Sequence, residues 1–348
     1  MRLIHATKEE WRACCEDCAV SSVYQDPRWL DLIESVYPKI RVQRLVCKDD
    51  QGRILWLLPL VEIMPLGKIR PMLISLPFGN YGGFLLPKAC KHSITDDLLM
   101  PLSEFFEQGR AFALELRELQ SPAHSLKIED QFRRFEVIFP ESVNLLWKKT
   151  LSGNARTSVR KADKLGVRTV SDHRHALQIF QSIYERNASY HGTPIHHVSW
   201  FKKMAAIFPQ ETEIVLGTYE GKFIGALLIL HYQGTSVLHA AVSDPECKKV
   251  PATDKLLWSS FERIMEHGMS KRFDFGRTRP VQGKLFFKRK WGSAEHTLYY
   301  SYLVKQGEHI PNILPENPKL APAIQVWRYL PMSLKRLIGP SFRKRIPT

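Results

Sequence analysis

The chain has 348 residues, 44% hydrophobic and 24% charged, which is ordinary usage for a folded protein and enough sequence for two cores. Lys and Arg outnumber Asp and Glu by 50 to 35, a formal net charge of +15, which suits partners such as RNA, nucleotide diphosphates or anionic lipid surfaces. Six cysteines include Cys14, Cys15 and Cys18, but no second cysteine pair or His-x-x-x-His completes a zinc set, so no metal is expected.

In chain order, residues 1–10 lack the apolar core of a secretory signal, which points to a cytoplasmic protein, or one peripheral on the inner face of the membrane. Helical patterns cover 8–18 and 27–36, where Pro27 suits a first turn and Trp29, Leu30 and Ile33 supply an apolar face. Extended runs at 42–46, 54–63 and 72–76 are separated by Asp-Asp-Gln-Gly and Pro-Leu-Gly-Lys turns and predict adjacent strands. The apolar stretch 54–66 is broken by Pro59, Glu62 and Pro65 and reads as buried strand, not as a membrane span. A helix at 96–109 and strands at 113–119 and 135–139 complete this half.

A second series starts near Glu141. Its helix at 175–190 repeats Ala176, Ile179, Phe180, Ile183 and Tyr184 at helical spacing. Segments 213–219, 223–232 and 236–242 follow, with Glu220-Gly221 as a hairpin signal, and predict a β-meander. A helix at 253–267 presents Leu257, Phe261, Ile264 and Met265, stops at Gly268, and leads to a strand at 272–275. Beyond Lys305 the prolines Pro311, Pro315, Pro318 and Pro322 break the chain, and after Glu316 no acid occurs while Lys319, Arg328, Lys335, Arg336, Arg343, Lys344 and Arg345 accumulate. With Ile324, Trp327, Leu330, Leu334, Leu337 and Ile338, this makes a basic amphipathic tail, expected to pack on the first half, with an anionic membrane face as the alternative.

Meander, helix, strand, helix, strand is similar to the core order of the acetyltransferase (GNAT) superfamily. The expected fold is α/β (α+β) with mixed sheets: GNAT-like domains at 1–145 and 146–305, then the tail at 306–348. Several segments resemble the Fem family, the FemAB-like peptidoglycan-bridge aminoacyltransferases. They are Tyr24-Gln25-Asp26-Pro27-Arg28-Trp29, Leu76-Pro77-Phe78-Gly79-Asn80-Tyr81-Gly82-Gly83, Asn154-Ala155-Arg156 leading into Val159-Arg160-Lys161-Ala162-Asp163-Lys164-Leu165-Gly166-Val167, His191-Gly192-Thr193-Pro194, Asp274-Phe275-Gly276-Arg277-Thr278, and Phe287-Lys288-Arg289-Lys290-Trp291-Gly292. The pattern is nearest to relatives associated with exopolysaccharide or PEP-CTERM protein-sorting systems, and the chain lacks the long helical-arm insertion that some members carry. The resemblance implies transfer of an activated carboxyl group to an amine of an envelope precursor (peptidoglycan, exopolysaccharide or lipid). It implies no tightly bound cofactor, and aminoacyl-tRNA or an acyl-CoA as donor.

Within that frame, coenzyme A users hold the pyrophosphate with a basic residue and closely spaced glycines at a helix N-terminus. Here the turn 242–256 offers Lys248, but Pro251 and Thr253 stand where the glycines should be, so the usual clamp looks broken. Lys288 is the candidate oxyanion donor, by its match to the lysine that lies beside the reacting carbonyl in the family. Asp274 is a candidate base or orienting carboxylate, with a helix cap or structural ion pair as the plainer reading. Its Asp-Phe-Gly string is not a kinase signature, because no glycine-rich loop or His-Arg-Asp accompanies it. Arg156, Arg160 and Lys161 are candidate phosphate ligands on one helix, against a solvated basic helix. Tyr184, His191, Arg277 and Phe287 complete the candidate substrate set, with core packing the simpler account of Tyr184 and a loop position that of His191. The competing functional readings are a polyanion-binding protein without turnover and a membrane-surface scaffold.

Overall fold

The computed structural model describes residues 1–20, 22–90, 93–171, 173–310 and 317–346. Twelve strands are present among them: β1 (Arg2–His5), β2 (Val42–Lys48), β3 (Ile54–Ile63), β4 (Met72–Ile74), β5 (Ala113–Glu118), β6 (Lys127–Ile138), β7 (Arg168–Val170), β8 (Thr212–Tyr219), β9 (Lys222–Tyr232), β10 (Thr235–Ser243), β11 (Arg272–Thr278) and β12 (Ala294–Val304). The chain divides into two compact units, one built chiefly from Met1–Phe132 with Thr297–Leu314, the other from Arg133–His296 with Pro315–Pro340.

In the first unit β2, β3 and β4 form an antiparallel meander, the helix Asp96–Gln108 follows, and β5 returns parallel to β4. Alternate strand residues Leu45, Cys47, Trp56, Leu58, Leu60, Leu114 and Leu116 cover one sheet face and meet Leu99, Leu102 and Phe106 of that helix. The Tyr24–Trp29 and Leu76–Gly83 segments pack on each other. Asp26 caps the helix Pro27–Val36 by accepting from the Arg28 N–H at 2.9 Å, and Asn80 Nδ2 donates to the Tyr24 hydroxyl at 2.6 Å. Leu76 and Phe78 hold positive φ angles of 53° and 65°, and a Cβ on Gly82 would collide with Leu76, so the backbone approach that Gly82 permits is structural.

The second unit repeats the plan: β8, β9 and β10 form a meander, the helix Ala252–Glu266 follows, and β11 runs parallel to β10. Its core joins Leu227 and Ile229 of β9, Phe273 and Phe275 of β11, and Leu256, Leu257, Phe261 and Ile264 of the helix. The α/β tandem expected from the element order is therefore present. The first boundary differs from the expected 140–150, because β6 residues from Arg133 to Ile138 pair with β11 and belong to the second unit. Likewise β12, which arises at the end of the second series, pairs with β5 in the first.

One expectation is corrected. The tail helix Ala321–Tyr329 and the residues of Met332–Arg343 up to Pro340 belong to the second unit, not the first. Both sit on the helix Ala176–His191: Ile324 lies against Gly192, Lys335 Nζ donates to Ser189 Oγ, and Arg336 pairs with Glu185 at 2.6 Å. The buried Glu185 carboxylate explains the choice, since it supplies the anion that the cationic tail needs. Pro311, Pro315 and Glu316 lie outside the described residues.

Candidate active site

β10 and β11 share three ladder pairs, Thr235↔Arg272, Ser236↔Phe273 and Val237↔Asp274, and no further pair among the described residues although both strands continue. Immediately past the last pair each strand breaks register with its outer neighbour, β10 between Leu238 and Ala240 and β11 between Asp274 and Arg277. A bulge adds twist and redirects its strand. Two bulges at the same level therefore end the ladder and leave the strand edges open.

On β11 the bulge is made by Gly276 at φ 67°, a left-handed conformation that favours glycine. It turns the Phe275 and Gly276 carbonyls toward the helix Gln282–Arg289, where Lys288 Nζ donates to them at 2.8 and 2.9 Å. An ammonium has three N–H donors, so one stays uncommitted among the described residues. Nζ also lies 5.7 Å from the Phe135 ring centre. Burial pushes the Lys288 pKa down to about 8, Asp274 opposes that, and Lys284 and Arg277 add to it. The Lys288 helix is fixed at its end by Trp291, fully buried in the core, and by Gly292 at φ 73°, where a Cβ would strike the Thr150 carbonyl.

Asp274 is 0% exposed, and both its oxygens are engaged. Oδ2 accepts from Arg134 Nε at 2.5 Å and Oδ1 from the Gly276 N–H at 2.6 Å. The carboxylate braces the bulge that carries Lys288. This is the orienting and ion-pairing side of the expectation; a base with a free oxygen is not what the geometry provides.

The expected phosphate ligands on Gly153–Lys164 fare differently. Arg156 is a correction: its Nη1 donates to the Trp147, Lys148 and Leu151 carbonyls at 3.1, 3.4 and 2.6 Å, satisfying the end of the π-helical turn Leu146–Thr150. Arg160 stacks over Trp147 with its guanidinium carbon 5.6 Å from the ring centre, and Lys161 is exposed. Tyr184 is also corrected to packing, with Phe201 at 4.9 Å and its hydroxyl accepting from the His196 N–H. Phe287 packs on the core and lies under Lys290 at 4.7 Å.

Arg277 and His191 instead belong to a set of basic groups that act on one another, in which the imidazole of His191 is pushed toward its neutral form. Burial and Arg277 lower Arg279, burial and Arg279 lower Lys284, and burial with Arg328 and Lys284 lowers His191. Lys284 lies one helical turn before Lys288, and the Arg328 side chain lies against Gly192, next to His191. Among the described residues no carboxylate is within ion-pair distance of Lys284 or Arg328. Lys284, Arg279 and Arg328 were missed in the sequence; Lys284 and Lys288 at i, i+4 were the available signal.

At the turn expected to lack the coenzyme A clamp, Pro251 precedes the helix Ala252–Glu266, and Asp254 occupies its first turn in a buried ion pair with Lys290. The positive end of that helix already holds an anion of its own chain.

The family model of the acetyltransferase (GNAT) domain matches residues 149–289. No curated protein matches the chain. Among solved structures, FemX is 13% identical over 87% of this chain and 98% of its own, with a TM-score of 0.59. The C-terminal domain of a putative lysylphosphatidylglycerol synthetase from Agrobacterium fabrum is 10% identical over 95% and 97%, with a TM-score of 0.54. A tandem GNAT protein from the clavulanic acid biosynthesis pathway is 9% identical over 88% and 99%, with a TM-score of 0.54. Such identities speak for the fold, and they agree with the repeated meander, helix and parallel strand: the chain has an α/β fold of two GNAT-like units in tandem, and it is the second that contains the stretch 149–289 matching the acetyltransferase (GNAT) model.

Proposed function

We propose that this chain transfers an acyl or aminoacyl group to an amine of a cell-envelope precursor, with the reacting carbonyl seated where β10 and β11 part. The observation that carries this reading is Lys288, a half-buried ammonium fixed by two backbone carbonyls at the bulge, with one N–H left over among the described residues. The neutral amine attacks the donor carbonyl and forms the new C–N bond. The carbonyl oxygen gains charge and accepts from the free Lys288 N–H. Collapse then expels the donor's thiolate or ribose oxygen, and the proton lost by the amine restores that leaving group by way of solvent. A fixed donor in a partly dry site is worth more here than in water, because it needs no reorientation as the charge appears.

Arg277, Arg279, Lys284, Arg328 and His191 form the phosphate-binding part of this reading, in the place first expected of Arg156 and Arg160. Among the described residues Lys284 and Arg328 have no carboxylate within ion-pair distance, so these two gain from an incoming polyanion. Lys284→Ala and Arg328→Ala are each expected to raise KM for a phosphate-bearing substrate about tenfold with kcat little changed. Steady-state kinetics with that substrate and a phosphate-free analogue check this, since the analogue should show no such change. Asp254 and Pro251 favour aminoacyl-tRNA, or a thioester whose pyrophosphate is held away from the Ala252–Glu266 N-terminus. FemX and the lysylphosphatidylglycerol synthetase domain share the fold, and the second name carries a phospholipid headgroup, which suits an envelope acceptor.

The same cations would suit a protein that binds polyanions without turnover. Mass spectrometry of products formed from charged tRNA or from coenzyme A thioesters, with a nucleotide-linked muropeptide or an aminoacylatable phospholipid as acceptor, separates the two. A new amide supports transfer; binding with no covalent product from any donor overturns it.

A further inference from the structure

No helix among the described residues is long and apolar enough to cross a membrane. The tail nevertheless exposes more apolar surface than its length needs. Val326 is 62% exposed, Tyr329 81%, Leu334 37% and Leu337 75%, all within two consecutive short helices. The inner sides of those helices are already used. Ile324 and the buried Trp327 face inward on the first, and the buried Lys335 and Gly339 on the second, where Gly339 packs on Ile195. Both helices are pinned to Ala176–His191, so the rows Val326/Tyr329 and Leu334/Leu337, each spaced i, i+3, look away from it. Exposed side chains of this size, clustered rather than scattered, mark an interaction surface.

We infer that this outer face is a docking surface for an anionic lipid bilayer. Val326, Tyr329, Leu334 and Leu337 enter the interface, and Lys319 meets the headgroups. The charge decides the occupant. From Asn317 to Pro340 there is no acid, and among the described residues no carboxylate lies within ion-pair distance of Lys319. A bilayer of anionic lipid offers apolar depth and negative charge together, as this face does, with Tyr329 suited to the boundary between them. RNA would use the cations and leave the aliphatic side chains wet.

This inference does not depend on Lys288 or on transfer, so either can fail without the other. Its test is flotation of the full chain with vesicles of phosphatidylcholine, with and without phosphatidylglycerol. The wild type is expected to float with the phosphatidylglycerol vesicles and not with phosphatidylcholine alone. Val326→Ser/Tyr329→Ser/Leu337→Ser is expected to lower partitioning at least about tenfold, from the apolar area withdrawn. Lys319→Gln should lower it about fivefold, and raised salt should lower it further. Val326, Tyr329, Leu337 and Lys319 are all exposed, so unchanged thermal melting is the control for folding. Three results overturn the proposal: no association with phosphatidylglycerol vesicles, equal association of wild type and apolar variant, or a wild-type dimer in sedimentation that the apolar variant dissociates, which would make a second copy the occupant.

Discussion

Replacing Lys288 by alanine is expected to slow acyl transfer by about 10²- to 10³-fold, the usual consequence of removing one fixed oxyanion donor. The effect should fall on kcat, because the N–H in question meets charge that exists only as the carbonyl is attacked. Binding of the phosphate-bearing substrate should change little, since Lys284, Arg279 and Arg328 remain. Single-turnover rates measured with binding constants separate the two effects. Equal losses in KM and none in kcat would make Lys288 one more member of the cationic set.

The second large effect is on stability. Asp274→Ala removes a fully buried carboxylate, leaves the Gly276 N–H without its acceptor and takes one anion from Arg134. Breaking a buried pair from one side costs about 3–5 kcal/mol, and the value expected here is near the lower end because Arg134 keeps Glu136 at 2.5 Å. Denaturant titration should show the loss as a lower midpoint at unchanged slope. Asp274→Asn preserves an oxygen for the Gly276 N–H and should cost less. If Asp274 were instead the base that takes the amine proton, the Asn variant would be stable and inactive, with the acid limb of its rate profile gone.

Much of the frame could be read from local pattern. The helix Pro27–Val36 and the strand Ile54–Ile63 appear with the bounds expected, since each is set by neighbours in sequence: Asp26 and Pro27 at the helix start, and a continuous buried apolar run in the strand. β12 and the helix Ser199–Ile207 were not anticipated, and β1 and β7, of four and three residues, are too short to show a period. Lys288 was singled out by resemblance; its anchoring was not visible, because it depends on a bulge at Gly276 held by Arg134, 140 residues away from Asp274. Arg156 misled for a related reason. Its spacing to Arg160 suggested a clamp, but the π turn before its helix and the residue that ends it present three carbonyls to its Nη1. Arg328 joins His191 only because the tail folds back onto Ala176–His191, and the charge pattern of the tail did not show where it would dock.

The central claim is that the Lys288 ammonium, with its pKa pushed down to about 8, supplies the proton bond to the developing oxyanion. The protonated form is the active one, so the wild-type rate, taken relative to that of a variant whose charge does not titrate, should be level below that pH and fall as pH rises through it, while deprotonation of the attacking amine raises both rates alike. The most direct measurement is the pH dependence of single-turnover transfer in the wild type and in Lys288→Arg, whose guanidinium keeps its proton throughout. An alkaline limb near pH 8 in the wild type that is absent from the arginine variant, even at reduced rate, is the result predicted here. The same pH profile in both proteins, or a wild-type to arginine-variant ratio that climbs through pH 8, would contradict it.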